Sequence, residues 1–244
     1  MNSESHAFGR AFYPFLYAPA ADDHGALPAL LASVRQSTLE KCADVIALRR
    51  ELLAEYAATV ALAATGVSRR FVEGGKLLAF GNGGSATDAD DAAIDCLRPA
   101  RAVWRVLPAV SLPADGATMS AVANDVGVEH VFSRQLAALG EPADIALGIS
   151  TSGRAANVIA GLAEARRRGL LTIALTGYDG GVVARENGAD FCFVVRREFV
   201  PRIQEGHATL WHMLLASVQD ALEDALEDVP PLSAARVAAR DQLT

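Results

Sequence analysis

Cysteine is scarce in this chain, and what there is does not pair. Cys42, Cys96 and Cys192 are odd in number, far apart and form no C-x-x-C, which removes a disulfide framework and a thiolate metal site and points to a reducing compartment. Long apolar runs are missing too. The chain has no stretch of about eighteen uncharged apolar residues, the length that reads as a membrane span. Its nearest approach, Ala57 to Val67, is short and flanked by Glu55 and Arg69. The first residues lack a basic segment leading into an apolar one, so neither signal peptide nor membrane span is expected and the predicted location is cytoplasmic. Positive charge is not in excess. A formal net charge of -7 and a pI near 5.2 argue against a nucleic-acid-binding surface. There is no repeat at solenoid period.

What the chain does have is apolar sequence in alternation. With 244 residues and 51% hydrophobic content, it can bury the core of one large domain with an extension. Residues 1–26 read as a polar arm holding Phe8, Phe12, Tyr13, Phe15 and Tyr17, aromatics that would pin the arm onto a neighbouring surface. From Leu27 to about Phe71 the pattern is helical, with interruptions near Ala54 and Gly66 that predict a helical pair. So apolar a pair needs a partner, either the domain's own flank or a second subunit. Beyond it, apolar runs at Leu77–Phe80, Leu107–Leu112, Asp144–Ile149, Leu171–Leu175 and Phe191–Val195 are separated by helix-length segments. The predicted fold class is therefore α/β, a doubly wound five-stranded parallel sheet with an N-terminal helical extension, its ligands beyond the carboxyl ends of the strands. A single domain over 27–228 is expected, and Pro230-Pro231 ends the last helix before a tail, 229–244.

The stretch Leu77 to Asp88, with Gly81-Asn82-Gly83-Gly84-Ser85 at its centre, reads as strand, tight turn and helix N-terminus. Glycines allow an anion close to the backbone, and the free N–H groups and positive dipole end of a helix receive its charge. It is not a P-loop, because no Gly-Lys-Ser/Thr follows at the required spacing. Gly81, Gly83 and Ala86 satisfy the loose dinucleotide pattern. However, the acidic residue due at the end of the next strand is missing, since Val110-Ser111-Leu112-Pro113 stands there, and this disfavours an NAD-dependent oxidoreductase. A Gly-rich turn without a ligand is the remaining alternative. Against it stands Ser85, expected at the helix N-cap, where a hydroxyl can bond backbone or oxyanion.

A second constellation, Ile149-Ser150-Thr151-Ser152-Gly153-Arg154, follows the third strand. Three hydroxyls beside free N–H groups suit a phosphate held without a metal, or simply cap a helix. Together with Thr176-Gly177-Tyr178-Asp179-Gly180-Gly181 and Arg202-Ile203-Gln204-Glu205, these motifs resemble the sugar isomerase (SIS) fold, a three-layer αβα architecture. The resemblance is narrowest to its sedoheptulose 7-phosphate isomerase (phosphoheptose isomerase) branch and spans roughly Leu27 to Asp228.

The resemblance implies roles position by position. Ser150, Thr151 and Ser152 would cradle the substrate phosphate, and Asn82, Gly83, Gly84 and Ser85 would line the sugar end, with Asn124 and Asp125 as a further substrate-contacting pair. Gln204 and His212 match a substrate- and metal-binding glutamine and a metal-binding histidine. Eight residues apart, they lie about two turns apart on one helical face. Without the resemblance, His212 among Leu210, Trp211, Met213 and Leu214 reads as a core histidine, and Glu205 and His207 as a polar helix face.

The chain also departs from the pattern. Where the family has a zinc-binding histidine and, one turn on, a zinc-binding glutamate that is also the base, this chain has Asp91 and Asp95. The implied metal set is Asp91, Asp95, Gln204 and His212, for one divalent metal: zinc by family, or a harder ion such as manganese or magnesium given three oxygen donors. Asp90-Asp91 also reads as a solvated helix face. Arg154 and Ala155 replace a polar residue and a serine, so Arg154 either supplies charge or faces solvent. The implied activity is aldose–ketose isomerisation of a sugar phosphate such as sedoheptulose 7-phosphate through an enediolate, with Asp95 as base and His212 as acid. The implied assembly is a homotetramer. The alternative is a non-catalytic, DiaA-like phosphosugar-binding protein that acts through protein contacts.

Overall fold

The computed structural model describes residues 26–227; the aromatic arm and the tail lie outside them. The chain divides at Asp44/Val45 into two compact units. The first helix, α1 (Ala26–Val72), is continuous over 47 residues, so the expected helical pair is one helix. Ala54 is a strong helix former, and a Gly inside a helix costs only about 1 kcal/mol relative to Ala. At Gly66 that cost is offset by packing, because a Cβ there would press on Leu171 Cδ2 at 3.3 Å. Within the first unit, Leu27, Leu30, Leu31 and Val34 are exposed and Gln36 donates to Glu40 at 2.7 Å.

In the second unit the predicted alternation is realised as β1 (Leu77–Gly81), α2 (Gly84–Leu97), β2 (Ala109–Ser111), α3 (Gly116–Asp125) and α4 (Val131–Leu139), then β3 (Ile145–Ser150), α5 (Ala156–Arg167), β4 (Leu171–Gly177), α6 (Gly181–Arg185), β5 (Phe191–Val195) and α7 (Val200–Glu227). All pairings are parallel and the strand order is β2-β1-β3-β4-β5. The central strands are buried along their whole length, which is why they read as unbroken apolar runs. Alternation along β1 sends Leu77 and Ala79 into a core with Leu48, Ile145, Trp211 and Leu214. Leu78 and Phe80 enter a second core with Phe132, Leu136 and Leu162. The sheet thus has a helical layer on each face. Tyr56 fastens α1 to the edge strand: its hydroxyl accepts from Val194 N–H at 3.0 Å and donates to Val194 O at 3.1 Å.

Strand order reverses between β1 and β3, whose register pairs Gly81 with Ile149. The loops leaving these two strands therefore emerge side by side at the topological switch point, where open α/β sheets bind ligands.

Candidate active site

The Gly loop owes its shape to three glycines. A Cβ at Gly81 would lie 2.6 Å from Ser85 O and 2.8 Å from Ile149 O, so glycine lets α2 sit down on the sheet. Gly83, at φ 56 and ψ -121, is the N-cap of α2, a conformation that L side chains resist. This corrects the expectation for Ser85, which lies inside the first turn of the helix and is buried at 4% exposure. At Gly84 a Cβ would fall 2.2 Å from Gln204 Nε2, so the missing side chain leaves the space that Gln204 of α7 fills.

Asn82 does not hang free over the loop. Its amide exchanges hydrogen bonds with Asn157 at the start of α5, at 2.8 and 2.9 Å, and so ties the Gly loop to the element that follows the Ser-Thr-Ser loop. That second loop begins at buried Ser150 and turns at Gly153, φ +59, where a Cβ would meet Gly180 O at 2.1 Å. Gly153 O accepts from Val182 N at 2.9 Å and Val183 N at 3.2 Å. The β4–α6 turn is thereby fastened against the loop.

Beneath the Gly loop, α2 and α7 enclose a cavity of about 60 Å³ lined by Asp88, Asp91, His207, Trp211 and His212, among others. His212 Nε2 lies 3.3 Å from Asp95 Oδ2, and the same oxygen accepts from Trp211 Nε1 at 3.0 Å. Oδ2 is thus held by two partners. The His212 side chain is 64% exposed and that of Asp95 31%, so His212 is not the core histidine that its apolar neighbours suggest. His207 takes that place. It is fully buried, with Nε2 2.9 Å from Thr176 O, which corrects its assignment to a polar face. Its Nδ1 has no partner, and burial pushes its pKa down to about 4.

Asp88 was not legible as a site residue, although at i, i+3 and i+7 it shares a helical stripe with Asp91 and Asp95. Burial pushes its pKa up to about 6, opposed by a hydrogen bond from Gln204 and reinforced by the charge of Asp91. Its Oδ2 is buried and unpartnered. Asn124 and Asp125 are exposed at the end of α3, where Asn124 donates to Asp125 at 2.7 Å, and neither lines the cavity. Asp90, on the flank of α2, accepts from the Ser111 hydroxyl.

The donor set can be tested as a cation site. Donors about 2.0–2.2 Å from a tetrahedral ion lie roughly 3.3–3.6 Å from one another, and His212 Nε2 and Asp95 Oδ2, 3.3 Å apart, meet the lower end of that range. Asp91 faces the same cavity. Among the described residues, no three His, Cys, Asp or Glu side chains converge as a metal-holding group. The residues fit an ion as a pair, with the wider set ungathered.

Known proteins align with this geometry. A phosphoheptose isomerase of Thermodesulfovibrio yellowstonii is 44% identical over 156 residues, covering 64% of this chain and 77% of the relative. One from a Roseiflexus species is 40% identical over 177 residues, covering 72% and 89%. Among solved structures, the phosphoheptose isomerase GmhA of Neisseria gonorrhoeae superposes with a TM-score of 0.69 at 35% identity, over 77% of this chain and 99% of that one. The phosphoheptose isomerase of Francisella tularensis gives 0.66 at 32% identity, over 75% and 98%. The SIS domain model matches residues 42–177, and with the switch-point loops this establishes that the chain belongs to the SIS domain family.

Proposed function

We propose that this protein is a sugar-phosphate isomerase that interconverts the aldose and ketose forms of a phosphosugar such as sedoheptulose 7-phosphate. The observation that carries the reading is the Asp95–His212 pair, 3.3 Å apart, on α2 and α7, with the Gly and Ser-Thr-Ser loops leaving adjacent strands. The names of the relatives, phosphoheptose isomerase in each case, agree with it. The phosphate rests on Ser150, Thr151 and Ser152. The sugar lies toward Gly83, Gly84, Ser85 and Gln204, with Asn82 acting through its bond to Asn157. Oδ1 of Asp95, the oxygen not held by Trp211, removes the proton α to the carbonyl. His212 moves the hydroxyl proton between the two oxygens of the enediol, and Asp95 returns its proton to the neighbouring carbon, so the reaction is redox-neutral overall. A divalent cation held by His212 and Asp95 would supply charge neutralisation at the enediolate.

Assembly is proposed as a homotetramer. Its support is apolar side chains exposed along α1, among them Leu27, Leu30, Leu31, Val34 and Leu39, and light scattering that reports a monomer at micromolar concentration would refute it. For the activity, purified protein should turn over sedoheptulose 7-phosphate. Replacing Ser150 and Ser152 by alanine should weaken phosphosugar binding more than tenfold, since a hydrogen bond to a charged group is worth about 1.5–3 kcal/mol. Retained binding with no turnover under any divalent metal would favour the non-catalytic alternative, for which the ungathered donor set speaks.

A further inference from the structure

The Ser150–Ser152 loop offers a phosphate dianion only neutral donors, and the residue that follows its glycine is Arg154. The guanidinium of Arg154 does not face empty solvent: Nη2 sits 3.0 Å from each carboxylate oxygen of Asp179. Asp179 belongs to the β4–α6 turn, which faces the loop across Gly153. It has two further partners, the Gly181 N–H at 3.1 Å and Arg185 Nη1 at 3.2 Å. The backbone bonds from Val182 and Val183 to Gly153 O hold turn and loop together without any help from Arg154.

We propose that Arg154 is an affinity-determining phosphate ligand whose guanidinium is shared between Asp179 and the bound phosphate, so that Asp179 competes with substrate and sets how tightly phosphosugars bind. This rests on the Ser-Thr-Ser loop being the phosphate cradle. Three physical arguments support the sharing. Both partners are more than half exposed, at 55% and 54%, and an ion pair in that setting is weak and readily exchanged. Asp179 keeps Arg185 and the Gly181 N–H when Arg154 turns away, so no carboxylate is stranded. A guanidinium meets a phosphate with two parallel charge-assisted bonds, a better match than its single nitrogen makes with Asp179. Arg154 lies two residues beyond Ser152, and its own N–H is 3.3 Å from Ser152 Oγ, so side-chain rotation alone carries it from one acceptor to the other.

The test is calorimetric titration of the full chain with inorganic phosphate and with sedoheptulose 7-phosphate, at low and high salt. Arg154→Ala should weaken both ligands about tenfold, and Arg154→Lys should restore only part of the loss because it cannot bind in two-pronged fashion. Asp179→Asn keeps an acceptor for Gly181 and should tighten binding three- to tenfold, while Arg185→Ala, which removes the second guanidinium from Asp179, should weaken it. On an Arg154→Ala background neither change should matter. High salt should erase most of the Arg154-dependent part. Unchanged affinity in Arg154→Ala, or looser binding in a folded Asp179→Asn protein, overturns the proposal. If Ser150→Ala/Ser152→Ala abolishes binding while Arg154→Ala does not, only the Arg154 assignment falls. If the serine pair can be removed without effect, the cradle reading falls with it.

Discussion

His207 and Asp88 line one cavity and are shifted in opposite directions, so the stability of this protein should hide a pH dependence that two substitutions expose. His207 falls from 6.5 to about 4 because a fully buried imidazole loses its hydration on charging. The folded protein therefore binds that proton less readily than the unfolded chain does. The stabilisation is complete above about pH 6.5 and is lost as pH falls toward 4. That depression corresponds to about 3 kcal/mol, most of which is gone by pH 4.5. Asp88, raised from 3.8 to about 6, works the other way. Its neutral form suits the fold, so its contribution is whole below pH 3.8 and is lost as pH rises through 6. Being only partly buried, it is worth no more than about 1 to 2 kcal/mol after solvent screening. Urea unfolding at pH 4.5, 5.5, 6.5 and 7.5 separates the two. Relative to wild type, His207→Gln should lose the acid-side decline, and its stability should fall as pH rises from 4 to 6. Asp88→Asn should show the His207 decline unopposed. Profiles parallel to wild type in both variants would refute the reasoning, because two groups with these shifts cannot be removed without changing the slope.

Trp211→Phe retains the packing but removes the N–H that holds Asp95 Oδ2; kcat should drop about tenfold with KM little changed, and an unaltered kcat in steady-state assays would deny Trp211 a positioning role. Gly153→Ala places a Cβ 2.1 Å from Gly180 O at φ +59, which should cost at least about 2 kcal/mol by strain and clash and abolish phosphate binding by calorimetry while far-UV circular dichroism is preserved. Asp95→Asn should eliminate turnover of sedoheptulose 7-phosphate without weakening its binding more than a few-fold, and Asp95→Glu, one methylene longer, should raise kcat by extending reach; residual turnover in Asp95→Asn would move the base elsewhere.

The sheet was legible because strands buried on both faces have to be apolar throughout, and the Gly and Ser loops because their residue types are tied to tight turns and anions. The second strand was the least legible of the five. An apolar run from Leu107 to Leu112 contains Pro108, which has no N–H to donate, and pairing begins only at Ala109. Long α1 was misread as two helices because Gly66 weakens propensity locally, whereas Leu171 packed against it decides the outcome. Asp91 and Asp95 both lie on α2, and Gln204 and His212 both lie on α7. What could not be read was which histidine of α7 faces inward. Apolar neighbours in sequence point the wrong way: His212 has them, yet its side chain is turned to solvent, whereas His207, between Gly206 and Ala208, is turned to the sheet and fully buried. Asp88, Trp211 and Asn157 were missed for a related reason: their partners lie 75 to 116 residues away in the chain or across a cavity.

The reciprocal amide bonds between Asn82 and Asn157 have a consequence for selectivity. The paired amides tie the loop after β1 to the first turn of α5, so moving that loop relative to α5 would break both bonds. The two form a rigid gauge. If a phosphosugar lies between them as proposed, one lacking a carbon would forfeit contacts rather than draw the walls inward, and discrimination by chain length would follow from an amide pair that touches no reacting atom.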